Sequence, residues 1–151
     1  MYGNIDPFKI SDFADKVLNE YSDIADALKI KSFLFGGTCL GFVRDGGYIF
    51  ADNDIDVGIP EGKIEEITVG LVKAGFEHKR DWCEHNRHFL KYDILLDVNY
   101  IFYPWERELL QSFDEVTYKG RAYNVPHPVE DYLKKNYGDW KTIKHRKLWE
   151  G

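Results

Sequence analysis

Three aspartates in two apolar segments are the residues whose types and spacing point most directly to chemistry. Asp54 and Asp56 stand two positions apart in "DIDVGI", and Asp97 stands in "DILLDVNYIF". Successive strand side chains point to opposite faces, so Asp54 and Asp56 share one face while the apolar residues between them enter the core. If the two strands are neighbours, three carboxylates meet, and protonation or a bound divalent cation must relieve their repulsion. Oxygen ligands of this kind suit Mg²⁺ or Mn²⁺, bound together with phosphate oxygens.

A solvated edge strand with acidic residues on its outer face is the simpler explanation for Asp54 and Asp56. Charged side chains on an edge strand discourage pairing with other chains, and this accounts for the alternation. It does not account for a third carboxylate, Asp97, inside another apolar strand. The combination of the three favours a metal site that binds a phosphorylated ligand.

A glycine turn precedes the aspartates and addresses the phosphate side of such a site. Gly36, Gly37 and Thr38 follow the apolar segment "SFLF" and precede a short helix. Backbone N–H groups at a helix N-terminus can approach a phosphate closely where no side chain intervenes, and the threonine hydroxyl is a further donor. A Gly-Gly-Thr sequence alone is more often a tight turn, so its interpretation as a phosphate site depends on the aspartates.

Other polar residues near this segment allow weaker interpretations. Asp52 either reaches a metal through water or shapes the turn with its neighbour Asn53. Cys83, His85 and His88 in "CEHNRH" have a loosely zinc-like spacing, but no second ligand pair accompanies them.

The elements that must position these residues follow from hydrophobic periodicity and turn signals. Apolar spacings of three and four predict an amphipathic helix over 8–29. The remaining predicted elements, in chain order, are a strand at 32–35, a helix at 38–44, a strand at 54–59, a helix at about 61–74, a hairpin over 76–92, a strand at 93–102, a hairpin turning at Lys119–Gly120, and a terminal helix ending at Gly138. This order predicts an α+β (mixed α/β) domain with a small sheet.

Composition narrows the class of protein. The 151 residues fit one domain, which we take to be 1–151, and no apolar run approaches the roughly 20 residues of a membrane helix. The N-terminus lacks the charged-then-apolar pattern of an export signal, so we expect a soluble, cytoplasmic protein without a membrane span. Cys39 and Cys83 are too few and too far apart to indicate a disulfide framework. The net charge of -6 disfavours DNA and other extended nucleic-acid partners.

The segment "GGTCLGFVRDGGYIFADNDIDVGIP" (36–60) resembles the signature of the LicD/fukutin-type family of the nucleotidyltransferase fold. That signature combines a glycine turn after a strand, an arginine a few residues later, and an aspartate-x-aspartate strand. "YKGRAYNVPHPVEDYLKKNYGDW" is similar to the family's closing segment, and the likeness spans about residues 32–141. The chain departs from the family at Phe50-Ala51, where proline and tryptophan are usual, and at Asn53, where an aspartate is usual.

The resemblance implies a small mixed sheet flanked by helices and a phosphotransferase that uses a nucleoside-diphosphate donor. It implies transfer of a phosphorylated group, as from a CDP-alcohol, to a hydroxyl of a sugar, glycan or other small molecule. The implied roles are metal binding and catalysis for Asp54, Asp56 and Asp97, phosphate binding for Gly36, Gly37, Thr38 and Arg44, and Mg²⁺ or Mn²⁺ as cofactor. For Arg44, an ion pair with its neighbour Asp45 is nearly as good an explanation.

Two other functions remain open at this stage. One is a nucleotidyltransferase that moves a nucleoside monophosphate from a triphosphate to a small molecule, protein or RNA and releases pyrophosphate. The other is a catalytically silent module that binds a nucleotide or a metal. The intact set of aspartates argues against the silent module, and the spacing of "VRDGGYIFADNDID" favours the diphosphate-dependent reaction.

Overall fold

A computed structural model describes residues 10–49, 54–79 and 84–142 of the chain. Within these ranges the helices are α1 (Ile10–Ala27), α2 (Gly36–Asp45), α3 (Ile64–Lys73), α4 (Pro104–Glu108) and α5 (Val129–Tyr137). The strands are β1 (Phe33–Leu34), β2 (Asp54–Gly58), β3 (Glu77–His78), β4 (Asn86–Lys91), β5 (Ile94–Asn99), β6 (Phe113–Tyr118) and β7 (Arg121–Pro126). The predicted α+β class is confirmed.

The strands form a mixed five-stranded sheet and a separate hairpin. The sheet has the order β1-β2-β5-β4-β3, in which β2 and β5 run parallel and the other neighbours run antiparallel. The hairpin pairs β6 with β7, and β7 lies beside β1. Both predicted hairpins are present, and the second turns at Lys119 and Gly120, each with a positive φ, as two-residue hairpin turns require.

One face of the sheet is apolar and is covered by helices. Alternate residues of β2 and β5, including Ile55, Val57, Leu96 and Val98, are fully buried. Helix α1 contacts both strands and also packs against α3. The two helices approach closely at Gly70, where an added Cβ would lie 2.9 Å from Ile24 Cγ2. This packing leaves the polar side chains of the same strands on the opposite face.

A carboxylate–tyrosine network connects the hairpin to α1 and to the loop that follows α2. Asp15 Oδ1 accepts hydrogen bonds from Tyr48 Oη at 3.0 Å and Tyr118 Oη at 2.8 Å, and its Oδ2 pairs with Lys119 Nζ at 2.6 Å. Burial and the Asp15 charge raise the pKa of Tyr118 to about 12, so both phenols remain donors at neutral pH. The network therefore anchors the loop near residue 48.

The strand predicted at 93–102 is shorter and ends at Asn99, and three helices also differ from the sequence prediction. Helix α2 begins at Gly36 rather than at 38, so the glycines form its first turn instead of preceding it. Helix α3 begins at Ile64 because the preceding residues make a turn at Gly62, which has a φ of 88°. The short helix α4 was not predicted, since five residues are too few to show a helical period. None of the helices in the described ranges is long and apolar enough to cross a bilayer.

We predict that Gly58→Ala destabilises the fold. Phe33 lies across Gly58 from the neighbouring strand, and a Cβ at that position would stand 2.2 to 3.0 Å from three of its ring carbons. Relieving the overlap displaces Phe33 from its contacts with Phe35, Phe102 and Phe113, and such overpacking costs about 1–3 kcal/mol. Urea unfolding measures the loss.

The matched control is Gly47→Ala, whose added Cβ would meet Tyr118 at an ordinary 3.5 Å. We expect its unfolding midpoint to stay within experimental scatter of the unsubstituted protein. Equal midpoints for the two variants would contradict the assigned close packing at Gly58.

Candidate functional site

The parallel pairing of β2 with β5 brings the predicted aspartates together. Asp56 stands directly opposite Asp97, and Asp54 is opposite Leu95, one step back along the same ladder. Asp56 and Asp97 are partly buried, whereas Asp54 is exposed at the start of its strand. The structure therefore places all three carboxyl groups on one face of two adjacent strands.

The electrostatics of this cluster favour a bound positive charge. Burial raises the pKa of Asp97; the imidazole of His88 and hydrogen bonding with Asp56 act in the opposite direction, and the nearby Asp54 carboxylate raises it further. Loss of hydration also raises the pKa of Asp54, again opposed by His88. In both residues the ionised form of the carboxyl group is therefore less favourable than it would be in water. A cation between them would reverse that penalty.

The glycine turn holds Asp56 from two sides. The Gly37 backbone N–H donates to Asp56 Oδ2 at 3.2 Å, and the Asp56 N–H donates to Thr38 Oγ1 at 2.8 Å. Gly36 has a φ of +49°, and a Cβ there would lie only 2.9 Å from Asp56 Oδ2. A residue with a side chain is therefore disfavoured at position 36 both by backbone conformation and by space. In this structure the turn positions the central carboxylate of the cluster.

Tyr132 of α5 completes the turn and was not identified from the sequence. The Gly36 N–H donates to Tyr132 Oη at 2.9 Å, and the phenol is fully buried against Phe35 and Trp105. Burial raises the pKa of Tyr132, so the phenol stays neutral. A tyrosine on a helix with an apolar stripe reads as a core residue. Its contact with a turn 96 positions earlier in the chain has no local signal.

Two side chains of β4 stand against Asp97. His88 is opposite Asp97 in the antiparallel register, is buried, and places Nε2 at 3.3 Å from Asp97 Oδ1. Asn86 Nδ2 lies 3.5 Å from Asp97 Oδ2, at the limit of a hydrogen bond. The sequence drew attention to His88 as a possible ligand, but only the register shows which carboxylate it contacts.

Arg44 lies at the other end of α2 from the glycine turn. Its guanidinium makes two bonds of 2.8 Å to Asp45, one from Nε and one from an Nη. The ion pair raises the pKa of Arg44 and lowers that of Asp45. The structure thus shows the ion pair that the sequence offered as the alternative to a phosphate contact.

The fit of the carboxylates to a divalent cation rests on their donor atoms. In the described ranges, no group of three or more His, Cys, Asp or Glu side chains is arranged so that it could hold a metal ion as it stands. Asp56 is instead turned toward the glycine turn and Asp97 toward β4. Asp97 Oδ1 is nevertheless buried, and its 3.3 Å contact with His88 Nε2 is an ion-pair contact rather than a well-formed hydrogen bond. Such an oxygen, beside two further carboxylates, fits a hard cation.

The remaining sequence candidates contribute less. Asp52 and Cys83 lie outside the described residues. The zinc hypothesis, which needs Cys83, therefore stays a prediction. Cys39 is a buried free thiol whose pKa burial raises to about 12. It is therefore an unreactive core residue.

Comparison with solved structures shows the fold. The lincosamide antibiotic adenylyltransferase LnuA, in a lincomycin-bound crystal structure, has a TM-score of 0.65 at 15% identity, with 89% of this chain and 92% of that one aligned. The antibiotic-resistance factor ANT(2'')-Ia has a TM-score of 0.63 at 16% identity, covering 89% and 78%. Its complex with adenylyl-2"-tobramycin scores 0.59 at 18% identity, covering 80% and 76%. These proteins establish a nucleotidyltransferase-like architecture.

Comparison of sequences shows the family. A search among curated proteins found no match. The family described as LicD/FKTN/FKRP, nucleotidyltransferase domain, matches residues 29–113, which is more than half of the chain and includes the glycine turn and all three aspartates. The fold, the match and the clustered carboxylates agree with one another, and the chain belongs to the LicD/FKTN/FKRP family of transferases.

Proposed function

We propose that this enzyme transfers a phosphorylated group from a nucleoside-diphosphate donor, such as a CDP-alcohol, to a hydroxyl of a sugar or glycan. We further propose that the 151 residues act as one catalytic domain. The observation that carries the proposal is the register that sets Asp56 opposite Asp97, with the Gly37 N–H on the Asp56 carboxylate. A glycine turn at the start of α2, two strands that carry carboxylates and a family match to transferases support the same reaction.

The donor diphosphate is proposed to bind at the first turn of α2. Gly36 would admit the phosphate because it has no side chain, Gly37 would present its backbone N–H and Thr38 its hydroxyl, once the contacts to Asp56 rearrange. Asp54, Asp56 and Asp97 would hold Mg²⁺ or Mn²⁺, which when bound neutralises charge on the diphosphate oxygens. Arg44 is proposed to contact a phosphate oxygen after exchanging its Asp45 partner.

Asp97 is proposed to handle the proton of the acceptor. The acceptor hydroxyl oxygen attacks the distal phosphorus, and a new O–P bond forms. The bond from that phosphorus to the bridging oxygen breaks, and the nucleoside monophosphate leaves with the electron pair. Asp97 accepts the hydroxyl proton, a task suited to a carboxylate beside the acceptor, and burial raises the pKa of this carboxyl above its ordinary value.

Adenylyl transfer from a nucleoside triphosphate is the second candidate. The observation that favours it is the structural likeness to LnuA and ANT(2'')-Ia, the first of which is named an adenylyltransferase. In that reaction the acceptor attacks the α-phosphorus and pyrophosphate leaves. The same three carboxylates would bind the metal in either reaction, so the identity of the released product distinguishes the two reactions.

We predict that a panel of CDP-alcohols and nucleoside triphosphates, incubated with Mg²⁺ and hydroxyl acceptors, yields CMP as the released nucleotide. Chromatography of the products makes the measurement. Asp97→Asn should lower the rate by about 10²–10⁴ while leaving donor affinity largely intact, because it removes the proton acceptor but keeps the shape of the side chain. Asp93→Asn, four residues earlier at the β4–β5 turn, is the control and should retain full activity.

Release of pyrophosphate from a triphosphate, with no CMP from any CDP-alcohol, would replace the first function by the second. A rate for Asp97→Asn close to that of the unsubstituted enzyme would remove Asp97 from the chemistry in either case.

We predict that Mg²⁺ or Mn²⁺ together with CDP raises the melting temperature, since a ligand that binds only the native state stabilises it. Asp54→Asn combined with Asp56→Asn should abolish the rise. The matched control is Asp23→Asn with Asp26→Asn, an exposed pair on α1 that contacts Arg121. Differential scanning fluorimetry measures all three proteins. A full metal-dependent rise in the Asp54/Asp56 variant would show that the cation binds elsewhere.

Tyr132 is proposed to be a positioning residue, because it acts through Gly36 on the turn that holds Asp56. We predict that Tyr132→Phe weakens the affinity for Mg²⁺ and CDP, measured by calorimetry. The variant retains the ring contacts but leaves the Gly36 N–H without its acceptor, which also lowers the unfolding free energy by about 1–3 kcal/mol.

Tyr21→Phe separates a positioning effect from lost stability. Tyr21 is equally buried, and its Oη shares a 2.6 Å hydrogen bond with Ser32 Oγ, away from the carboxylates. We expect a comparable loss of stability in this variant with unchanged nucleotide affinity. If both variants lost nucleotide affinity to the same extent, the role of Tyr132 would be purely structural.

A further inference from the structure

A cavity of about 710 Å³ opens beside Asp97, and the candidate residues discussed so far do not account for it. It begins at Phe35, which immediately precedes the glycine turn, and continues along Asn86 and Asn99 to Tyr103 and Glu106 of the α4 segment. Asn99 follows Asp97 by two positions and therefore lies on the same face of β5. Asn86 both lines the cavity and lies 3.5 Å from Asp97 Oδ2. Asn86 thus connects the cavity to the proposed proton acceptor.

The lining carries two carboxyl groups and one imidazole, that of His85. Glu84 and Glu106 contribute carboxyl groups, and no lysine or arginine is found among the described residues around the cavity. Burial raises the pKa of Glu106, opposed by its bond from the Tyr103 N–H and by His85. A phosphate or carboxylate placed here would meet like charge with no lysine or arginine in the described lining to offset it. The lining therefore disfavours an anionic ligand, including a nucleoside diphosphate.

The hydrogen-bonding atoms of the lining are mainly acceptors. Asn99 Nδ2 already donates to the Val57 carbonyl at 3.0 Å, which leaves the Asn99 side-chain oxygen to meet a ligand. The glutamates add further oxygens that accept hydrogen bonds. A ligand that matches this lining is rich in donors, as hydroxyl and amine groups are.

An apolar surface accompanies these acceptors at the mouth of the cavity. Tyr103 is 56% exposed and Ile101 is 38% exposed, among the largest exposures of apolar side chains in the described ranges. The Tyr103 ring lies 5.1 Å from the His85 ring, which limits its freedom to turn. A fixed, exposed aromatic ring offers a flat surface on which the C–H face of a pyranose can stack.

From these contacts we infer that the cavity is the acceptor subsite, and that it selects a hydroxyl-rich ring that is neutral or carries an amine and excludes one that carries an acid group. This inference rests on the proposed transfer reaction, since it locates that reaction's second substrate. The acceptor would stack on Tyr103, donate hydrogen bonds to Asn99 and Glu84, and bring one hydroxyl toward Asp97.

Three pyranoses of equal size and different charge test the selection. Glucosamine, glucose and glucuronate are each titrated at millimolar concentration into the full chain with Mg²⁺ and CDP present, and saturation-transfer NMR reports the bound sugar. We expect glucosamine and glucose to bind and glucuronate to bind at least about tenfold more weakly. Equal binding of glucuronate, or no binding of any of the three sugars, would overturn the inference.

Variants then locate the bound sugar. Tyr103→Ala should weaken glucose and glucosamine by about tenfold through loss of stacking. Glu84→Gln should weaken glucosamine more than glucose, because it removes a carboxylate that the amine of glucosamine can meet. Tyr92→Ala is the control, since Tyr92 is another exposed tyrosine, 42% exposed, at the turn that begins β5. Sugar affinities unchanged in Tyr103→Ala, or lowered equally in Tyr92→Ala, would overturn the location.

Calorimetry with Mg²⁺ and CDP keeps this test separate from the proposed function. The nucleotide affinity should be unchanged in Tyr103→Ala and Glu84→Gln. A loss of nucleotide affinity in Tyr103→Ala would assign the cavity to the nucleotide and overturn the inference, while leaving the transfer reaction in place. Sugar binding that depends on Tyr103 in a protein that releases no nucleotide from any donor would support the cavity as a sugar site and refute the transfer reaction.

Discussion

The parallel pairing of β2 with β5 is the constraint on which the site depends. Two strands that each carry acidic residues on one face must be held side by side, although their carboxylates repel one another. The buried opposite face supplies the opposing force, since Ile55, Val57, Leu96 and Val98 lose their contact with water only in this register. A slip of one residue would move these apolar side chains to the polar face. Hydrophobic burial thus fixes the register that sets Asp56 opposite Asp97.

The glycine turn and α5 refine what the sheet positions. Gly36 permits α2 to begin against the Asp56 carboxylate, and Gly37 donates to it. Tyr132 accepts the Gly36 N–H, so the last described helix contacts the glycine turn at the start of α2. In this structure the groups proposed to bind phosphate are satisfied by protein partners. Nucleotide binding would therefore replace hydrogen bonds within the protein by hydrogen bonds to the phosphate.

The two sides of the carboxylate cluster differ in charge and in shape, and this difference suits a reaction with two substrates. The α2 side offers backbone N–H groups and the positive end of a helix, which favour an anionic diphosphate. The cavity on the other side offers carboxyl and amide oxygens with an exposed ring, which favour an uncharged or cationic partner. Asp97 lies between them, because it stands opposite Asp56 on one side and contacts Asn86 of the cavity lining on the other. Charge complementarity alone would then keep each substrate out of the other's place.

Local sequence patterns determined the elements and the candidate carboxylates. Alternation in "DIDVGI" and "DILLDVNYIF" was sufficient to place Asp54, Asp56 and Asp97 on polar faces, because side-chain direction in a strand depends only on position along it. The family motif added Arg44, and the family match confirmed the resemblance. Only the tertiary structure decided that His88 and Asn86 face Asp97, that Tyr132 bonds to Gly36, and that Arg44 is paired with Asp45. The first two depend on strand register and helix docking between distant segments, and the third on a choice between two partners, none of which a local pattern encodes.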